Sequence, residues 1–202
     1  MRPQVTIDAS ALPSAGFGIR SALWWGILGM ITIESAMLGT LAASYFYVRL
    51  SFEQWPPLGT PNPDLFVPTV TLILLLLSVI PIHLADRLAV SGRDDRAMMR
   101  WVWIGVVSGF VVFAVRCLEF GSLNCRWDDN AYGSVVWFII GVHTSHILAS
   151  TIETMVLALH LRRKRIDPKH HVDVHVDTTY WYFVVVSWIA FYFILYWSPR
   201  WI

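Results

Sequence analysis

The sequence predicts an all-α membrane protein, a bundle of five transmembrane helices, and three observations lead to that fold class. Hydrophobic residues make up 56% of the 202 residues and charged residues only 14%. Mean hydropathy is +0.55, far toward the apolar end. Five apolar segments reach the ~20 residues that a helix needs to cross a bilayer. These predicted spans cover residues 21–49, 66–85, 98–120, 132–160 and 178–197.

The segments outside the spans are short and polar. Residues 1–20 predict a polar N-terminal tail, and residues 21–202 a single transmembrane domain. Turn-forming stretches end the first three spans: WPPLGTPNPD, SGRDDR and NCRWDDN. The His- and Asp-rich stretch PKHHVDVHVD before the fifth span could bind a metal weakly, but its composition favours a solvated cytoplasmic loop.

The distribution of basic residues predicts the orientation. Arginine and lysine concentrate in the segments after spans two and four, and the two alternate loops and the C-terminus hold one basic residue each. By the positive-inside rule, the N-terminus is cytoplasmic and the C-terminus lies outside. A net charge of +1 excludes a basic nucleic-acid-binding surface, so no nucleic acid is expected as a partner.

Span one combines a packing pattern with a charged residue. Ser35, Gly39 and Ala43 recur every four residues, a spacing that lets helix backbones approach closely. Glu34 lies near the middle of the span, where a contact with a histidine of span four is geometrically feasible. Two interpretations stay open for Glu34: a proton-related role, or a buried neutral carboxyl group that fixes helix packing.

Span four carries a polar stripe. His143, His146 and Glu153 lie on one side of the helix, three and then seven residues apart. A charged group at the bilayer centre costs roughly 2.5–3.5 kcal/mol on insertion scales, and such groups mark proton or ion paths or face other helices. Because lipid offers no hydrogen bonds, this stripe requires a protein partner.

Arg116 and Glu119 stand three residues apart at the outer end of span three. This spacing predicts a local ion pair, with Arg116 extending outward to the headgroups. The alternative is a salt bridge to another subunit.

The sequence predicts no metal site and no catalytic residue. Two mid-membrane histidines are too few ligands for a structural metal, and the helices lack a di-iron E-x-x-H motif. A bis-histidine haem would need a mid-membrane histidine on a second span, and both lie on span four. Cys117 and Cys125 lack zinc-ligand spacing, and the sequence does not decide whether they pair.

From about Trp24 onward, a series of motifs in order resembles subunit III of the haem-copper oxidases, the cytochrome c oxidase subunit 3 family. The match includes the intramembrane glutamate followed by SYFYVR, and the Glu-aromatic pair at Glu119 and Phe120. The other motif positions form a W-P-P turn, a Tyr-Gly-Ser triplet, Gly-x-His-x-x-His and a Tyr-Trp-rich last span: Trp55, Pro56, Pro57, Tyr132, Gly133, Ser134, Gly141, His143, His146, Tyr180, Trp181 and Trp188.

Four departures place the chain on a divergent, bacterial-type branch. Tyr182 and Val185 replace a family histidine and aspartate, Arg116 replaces a glutamine, and Thr144 replaces a glycine. The five spans resemble the last five of the seven found in longer members.

The resemblance implies a non-catalytic subunit that stabilises subunit I and supports proton uptake during oxygen reduction. It implies a multi-pass protein of the bacterial inner membrane. Haem and copper are expected in subunit I, with subunit II, membrane lipid and a bound phospholipid as further partners. A subunit III-like partner of a quinol oxidase or nitric oxide reductase is one alternative. A proton-coupled membrane carrier is the alternative from another class.

Overall fold

A computed structural model describes residues 21–163 and 168–201, and within them it confirms the all-α fold with five helices long and apolar enough to span a membrane. The predicted tail, residues 1–20, lies outside the described residues, as do the basic residues Lys164 and Arg165. The orientation stays a prediction. The long helices are α1 (Ala22–Arg49), α2 (Phe66–Ser91), α3 (Asp95–Glu119), α4 (Ala131–Arg163) and α5 (Pro168–Tyr192).

Short turns extend the ends of two helices. A 3₁₀ turn at Phe120–Leu123 follows α3, and α5 continues through a π-helical turn at Phe193–Trp197 into the short helix α6 (Ser198–Trp201). The π turn shifts the helical register, so the side chains after it face the bundle at different positions in the repeat from those before it.

The tight connection between α2 and α3 follows from two residues. Gly92 ends α2 in the left-handed region at φ 59°, where glycine has no Cβ penalty. Asp94 caps α3 by accepting from the N–H groups of Arg96 and Ala97, at 3.0 and 2.9 Å. α2 and α3 therefore form a helical hairpin.

The prediction of a solvated loop before the fifth span is wrong, because α5 begins at Pro168 and not at residue 178. Two of its histidines pair with acidic residues of the neighbouring helices. His171 Nε2 lies 2.9 Å from Asp95 Oδ1, and His175 Nδ1 lies 2.7 Å from Asp86 Oδ1. Polar residues that looked solvated in sequence thus connect α5 to α2 and α3.

The core of the bundle lies between α2, α3, α4 and α5. α2 packs against α3 and α5, α4 packs against α3 and α5, and α1 lies against α4 and α5. α3 and α4 approach each other closely at Gly109, where a Cβ atom would meet Thr151 Oγ1 of α4 at 2.5 Å. Glycine at this position therefore sets the α3–α4 distance.

α1 is the peripheral helix. Only 11% of its most apolar stretch is buried inside the bundle, against 50% of the corresponding stretch of the last span. Ser35, Gly39 and Ala43 are exposed, and a Cβ atom on Gly39 would meet nothing within 4 Å. The spacing that predicts close packing therefore brings no helix of the described chain into close contact, and Ser35 and Gly39 line an open apolar groove beside α5.

Candidate functional site: two intramembrane polar clusters

The first cluster joins α1, α4 and α5 and is called here the acidic cluster: Glu34, Glu153 and Asp177 with His146 and Tyr180. The Tyr180 hydroxyl donates to Glu34 Oε2 at 3.0 Å. His146 Nε2 lies 3.8 Å from the same oxygen, which is beyond a normal hydrogen bond. The structure therefore brings Glu34 and His146 together, as the sequence suggested, but the direct hydrogen bond comes from tyrosine.

Asp177 is a member that the sequence analysis missed, because it placed this residue in a loop. Its two carboxyl oxygens accept from Thr154 Oγ1 of α4, at 3.0 and 2.9 Å. The side chain is buried between α4 and α5. One signal could have revealed it: Asp177 precedes Tyr180 by three residues, so both share one helix face once α5 is extended.

Glu153 is the exposed member of the acidic cluster. It lies close enough to Glu34 and Asp177 for their charges to interact, yet its side chain is exposed on the surface of the chain. The predicted polar stripe therefore divides: His146 faces α1, Glu153 faces outward, and His143 turns toward α5.

His143 is fully buried against α5. Its Nε2 lies 2.9 Å from the carbonyl oxygen of Val184, and its ring lies 4.5 Å from the ring of Trp188, measured between centroids. A carbonyl oxygen can only accept, so Nε2 carries the proton. The imidazole thus acts as a hydrogen-bonded packing group between α4 and α5.

The second cluster is called here the arginine cluster: Arg116 and Glu119 of α3 with Trp188 and Tyr196. Arg116 Nη1 donates to Glu119 Oε2 at 2.8 Å, which confirms the local ion pair. Tyr196 donates to the other carboxyl oxygen at 2.5 Å, and the guanidinium carbon lies 3.5 Å from the Trp188 ring centroid.

The prediction that Arg116 extends outward is wrong. Both side chains of the ion pair are 0% exposed. The Trp188 face and the Glu119 carboxylate hold the guanidinium inside the bundle, where a cation–π contact and a charge-assisted hydrogen bond replace part of its hydration. With both side chains buried in the chain, the alternative of a salt bridge to another subunit is wrong too.

The W-P-P and Tyr-Gly-Ser motifs pack together at one end of the bundle. Trp55 Nε1 donates to the Tyr45 hydroxyl at 2.8 Å, and its ring stands edge-on to Tyr132 at 4.9 Å. Pro56 and Pro57 continue this turn, and the Pro57 carbonyl accepts from Thr60 at 2.9 Å. The motif therefore anchors the α1–α2 connection to the start of α4.

Gly133 and Ser134 join the loop before α4 to its first turn. A Cβ atom on Gly133 would overlap the carbonyl oxygen of Arg126, so glycine is required for close approach. Ser134 Oγ donates to the Trp127 carbonyl at 2.7 Å. A Cβ atom on Gly141, by contrast, would meet nothing within 4 Å, so the packing of the described chain does not require glycine there.

The departures from the family pattern have local partners. Tyr182, in place of the family histidine, is hydrogen-bonded to His83 Nδ1 of α2 at 2.7 Å. Trp181 donates to Ser78 Oγ at 3.0 Å, while Val185 is buried in the hydrophobic core. A tyrosine–histidine pair between α5 and α2 thus occupies the position of the missing histidine.

Among the described residues, no group of three His, Cys, Asp or Glu side chains could hold a metal ion. Cys117 and Cys125 are both free thiols. Burial raises the pKa of the Cys125 thiol to about 11, and the Asp129 charge acts in the same direction. Cys125 is therefore a weak nucleophile at neutral pH.

Comparison with known proteins agrees with the motifs. The family model of cytochrome c oxidase subunit III matches residues 4–200. Cytochrome c oxidase subunit 3 of Thermostichus vulcanus is 33% identical over 176 residues, 85% of each chain. The protein of the same name from Synechocystis sp. is 28% identical over 85% of this chain and 74% of its own. That of Gallus gallus is 25% identical over 89% and 70%. The chain belongs to the cytochrome c oxidase subunit III family and is subunit III of a haem-copper oxidase.

Proposed function

We propose that this chain is a non-catalytic subunit, one that stabilises subunit I of the oxidase and supports its proton uptake. One observation carries the proposal: both intramembrane histidines serve the packing of the chain itself. His143 donates from Nε2 to a backbone carbonyl, and His146 faces Glu34. Because His143 is engaged by α5 and His146 faces Glu34, we expect haem and copper in the partner, subunit I.

The acidic cluster is the feature best suited to proton exchange. Glu34, Glu153 and Asp177 are carboxyl groups inside or at the edge of the apolar region. The hydroxyl groups of Tyr180 and Thr154 donate to Glu34 and Asp177, respectively. Carboxyl and hydroxyl groups are the usual components of intramembrane proton relays. A packing role for the same groups is the competing interpretation, and the Glu34 variants described below separate the two.

The partners follow from the family and from the surface of the bundle. We expect subunit I and subunit II in the complex, in the bacterial inner membrane, with the N-terminus cytoplasmic. A phospholipid acyl chain suits the apolar groove of about 340 Å³ between α1 and α5, which Gly39, Ala42 and Ala190 help to line.

Cytochrome c is the electron donor we propose for the complex. The relatives from Thermostichus vulcanus and Synechocystis sp. are named cytochrome c oxidase subunit 3. A purified complex that oxidises reduced cytochrome c but not a quinol supports this donor. Oxidation of quinol alone, or reduction of nitric oxide instead of oxygen, contradicts it.

Affinity purification tests the subunit assignment. A tag on this chain in its native membrane should recover, in mild detergent, a polypeptide that carries haem and copper. After separation, the tagged chain should show no Soret band and no stoichiometric metal. A Soret band that stays with the separated chain and disappears in His143→Ala contradicts the non-catalytic role.

A further inference from the structure

Glu153 lies deep in the membrane. α4 has 33 residues and Glu153 lies six residues from its midpoint, Ile147. At ~1.5 Å rise per residue, Glu153 is about 9 Å from the helix midpoint. The hydrocarbon core extends about 15 Å to either side of the bilayer centre. The Glu153 side chain therefore lies within the hydrocarbon region when α4 is centred.

Glu153 has no hydrogen-bond donor within the described part of the chain. Among the described residues, no side chain donates a hydrogen bond to Glu153. Its electrostatic neighbours are Glu34, Asp177 and Tyr180, which add negative charge or none. Nor does any described lysine or arginine pair with a carboxyl group of the acidic cluster, whose single basic member is His146, beside Glu34.

The surface around Glu153 is apolar and exposed. Ala149, Ile152 and Val156 surround it on α4, and all three are exposed and apolar. The result is one carboxyl group on an open apolar helix face. Lipid tails offer it no hydrogen bond, and the edge of the hydrocarbon core lies about 6 Å farther along the helix.

We propose that a transmembrane helix of another oxidase polypeptide covers this face of α4 and directs a hydrogen-bond donor, preferably a basic side chain, at Glu153. The inference rests on the proposed function, because it names the partner of the same acidic cluster. Charge complementarity selects the donor, since three carboxyl groups converge and one imidazole faces them. A second copy of this chain fits poorly, because a symmetric contact would bring two acidic clusters together.

Two variants and a matched control test the proposal in the whole complex. Glu153→Leu removes the carboxyl group, Glu153→Gln keeps an acceptor, and Val156→Leu changes a neighbouring exposed residue. The readout is haem retained per tagged chain during a detergent titration. We expect the haem retained per tagged chain to be roughly 3- to 15-fold lower in Glu153→Leu than in wild type. This is the range for the loss of one interhelical hydrogen bond in a membrane. The Val156→Leu variant should behave as wild type, and Glu153→Gln should lose less than Glu153→Leu.

The outcomes separate this inference from the proposed function. If wild type retains the haem-copper polypeptide and Glu153→Leu retains it equally well, Glu153 faces lipid and the inference is overturned. If wild type retains no such polypeptide, the proposed function fails. A photocrosslinker at Ala149 in native membranes then still decides the docking: an adduct with a different polypeptide that disappears in Glu153→Leu supports it. Adducts with lipid alone, or with a second copy of this chain, overturn it.

Discussion

The arginine cluster and the acidic cluster place charge in the same membrane bundle under opposite conditions. Arg116 and Glu119 are 0% exposed, and Tyr196 and Trp188 cover the remaining sides. The acidic cluster has three carboxyl groups and a single imidazole, and one carboxyl group lies on the open surface. A balanced pair can be closed inside one chain, whereas an unbalanced group of acids needs a donor from elsewhere. The first cluster therefore fixes the fold, and the second is suited to exchange or assembly.

Breaking the arginine cluster should have the largest effect. Glu119→Leu leaves Arg116 buried without its carboxylate, and removing one partner of a buried pair costs about 3–5 kcal/mol of unfolding free energy. Replacing Arg116 and Glu119 with leucine together, with Tyr196→Phe, should recover most of this loss. Unfolding of the purified chain in mixed micelles, followed by circular dichroism, gives both values.

An exposed pair in the same chain is the control. Arg126 and Asp128 form an ion pair at 3.1 Å with side chains 74% and 43% exposed. Arg126→Ala should cost at most about 1 kcal/mol, as for other surface pairs. Equal losses in Glu119→Leu and Arg126→Ala would show that burial does not determine the cost.

Glu34 variants should have a smaller effect and separate the two interpretations of the acidic cluster. Glu34→Ala leaves the Tyr180 hydroxyl without its acceptor, a loss of about 1–3 kcal/mol for a buried polar group. In a packing role, Glu34→Gln should keep subunit retention and oxidase turnover. In a proton role, Glu34→Gln should slow proton uptake or shift its pH dependence while the subunit stays bound.

Tyr180→Phe is the matched control for Glu34, since it removes the donor and keeps the carboxyl group. It should reproduce the packing loss of Glu34→Ala but not the change in proton uptake. Assembly and turnover at wild-type levels in Glu34→Ala would contradict both interpretations of Glu34.

The contact between Thr154 and Asp177 should have a still smaller effect. Thr154→Val removes a hydroxyl that bonds Asp177 across helices, and interhelical hydrogen bonds in membranes average about 0.6 kcal/mol, with a maximum near 1.7. Thr151→Val is the control, because the Thr151 hydroxyl bonds only Ile147 of its own helix among the described residues. If Thr154→Val loses no more stability than Thr151→Val, the Asp177 contact contributes nothing.

Thiol labelling orients the two clusters relative to the membrane and changes no stability. An impermeant maleimide should label Cys125 from outside in spheroplasts of a Cys117→Ser background. A cysteine placed at Ser91 should stay protected, and its labelling from outside would contradict the predicted orientation.

The pH dependence of Cys125 labelling follows from its pKa. A pKa raised to about 11 keeps the thiol protonated at neutral pH, so the labelling rate should rise as pH rises toward that value. We expect about a tenfold increase per pH unit between pH 7 and 9. Asp129→Asn removes the nearby negative charge, so it should lower the pKa and speed labelling. A rate that reaches a plateau near pH 8.5 would show an unshifted thiol.

A contact between neighbours on one helix could be predicted from the sequence. The ion pair between Arg116 and Glu119 needs only their spacing of three residues on a helix. This prediction rests on helix geometry alone. Similar depth in two spans suggested a contact between Glu34 and a histidine of span four, and the arrangement of α1 and α4 decides that the histidine is His146.

Contacts between residues far apart in the sequence could not be predicted from it. Tyr196 reaches Glu119 through the π-helical turn at the end of α5, and Asp177 reaches Thr154 because α5 begins ten residues before the predicted span. The polar composition of PKHHVDVHVD predicted a loop because its acidic partners, Asp86 and Asp95, lie on other helices. Local composition carries no information about those partners.

The sequence by itself determined that this chain has five membrane helices and belongs with subunit III of the haem-copper oxidases, because hydropathy and motif order are properties of the linear chain. The tertiary structure decided which polar groups are closed inside the bundle and which face outward. Arg116 is buried and Glu153 is exposed, although both are charged residues within predicted spans. That difference depends on the rotation of each helix against its neighbours, which the packing of α3, α4 and α5 sets.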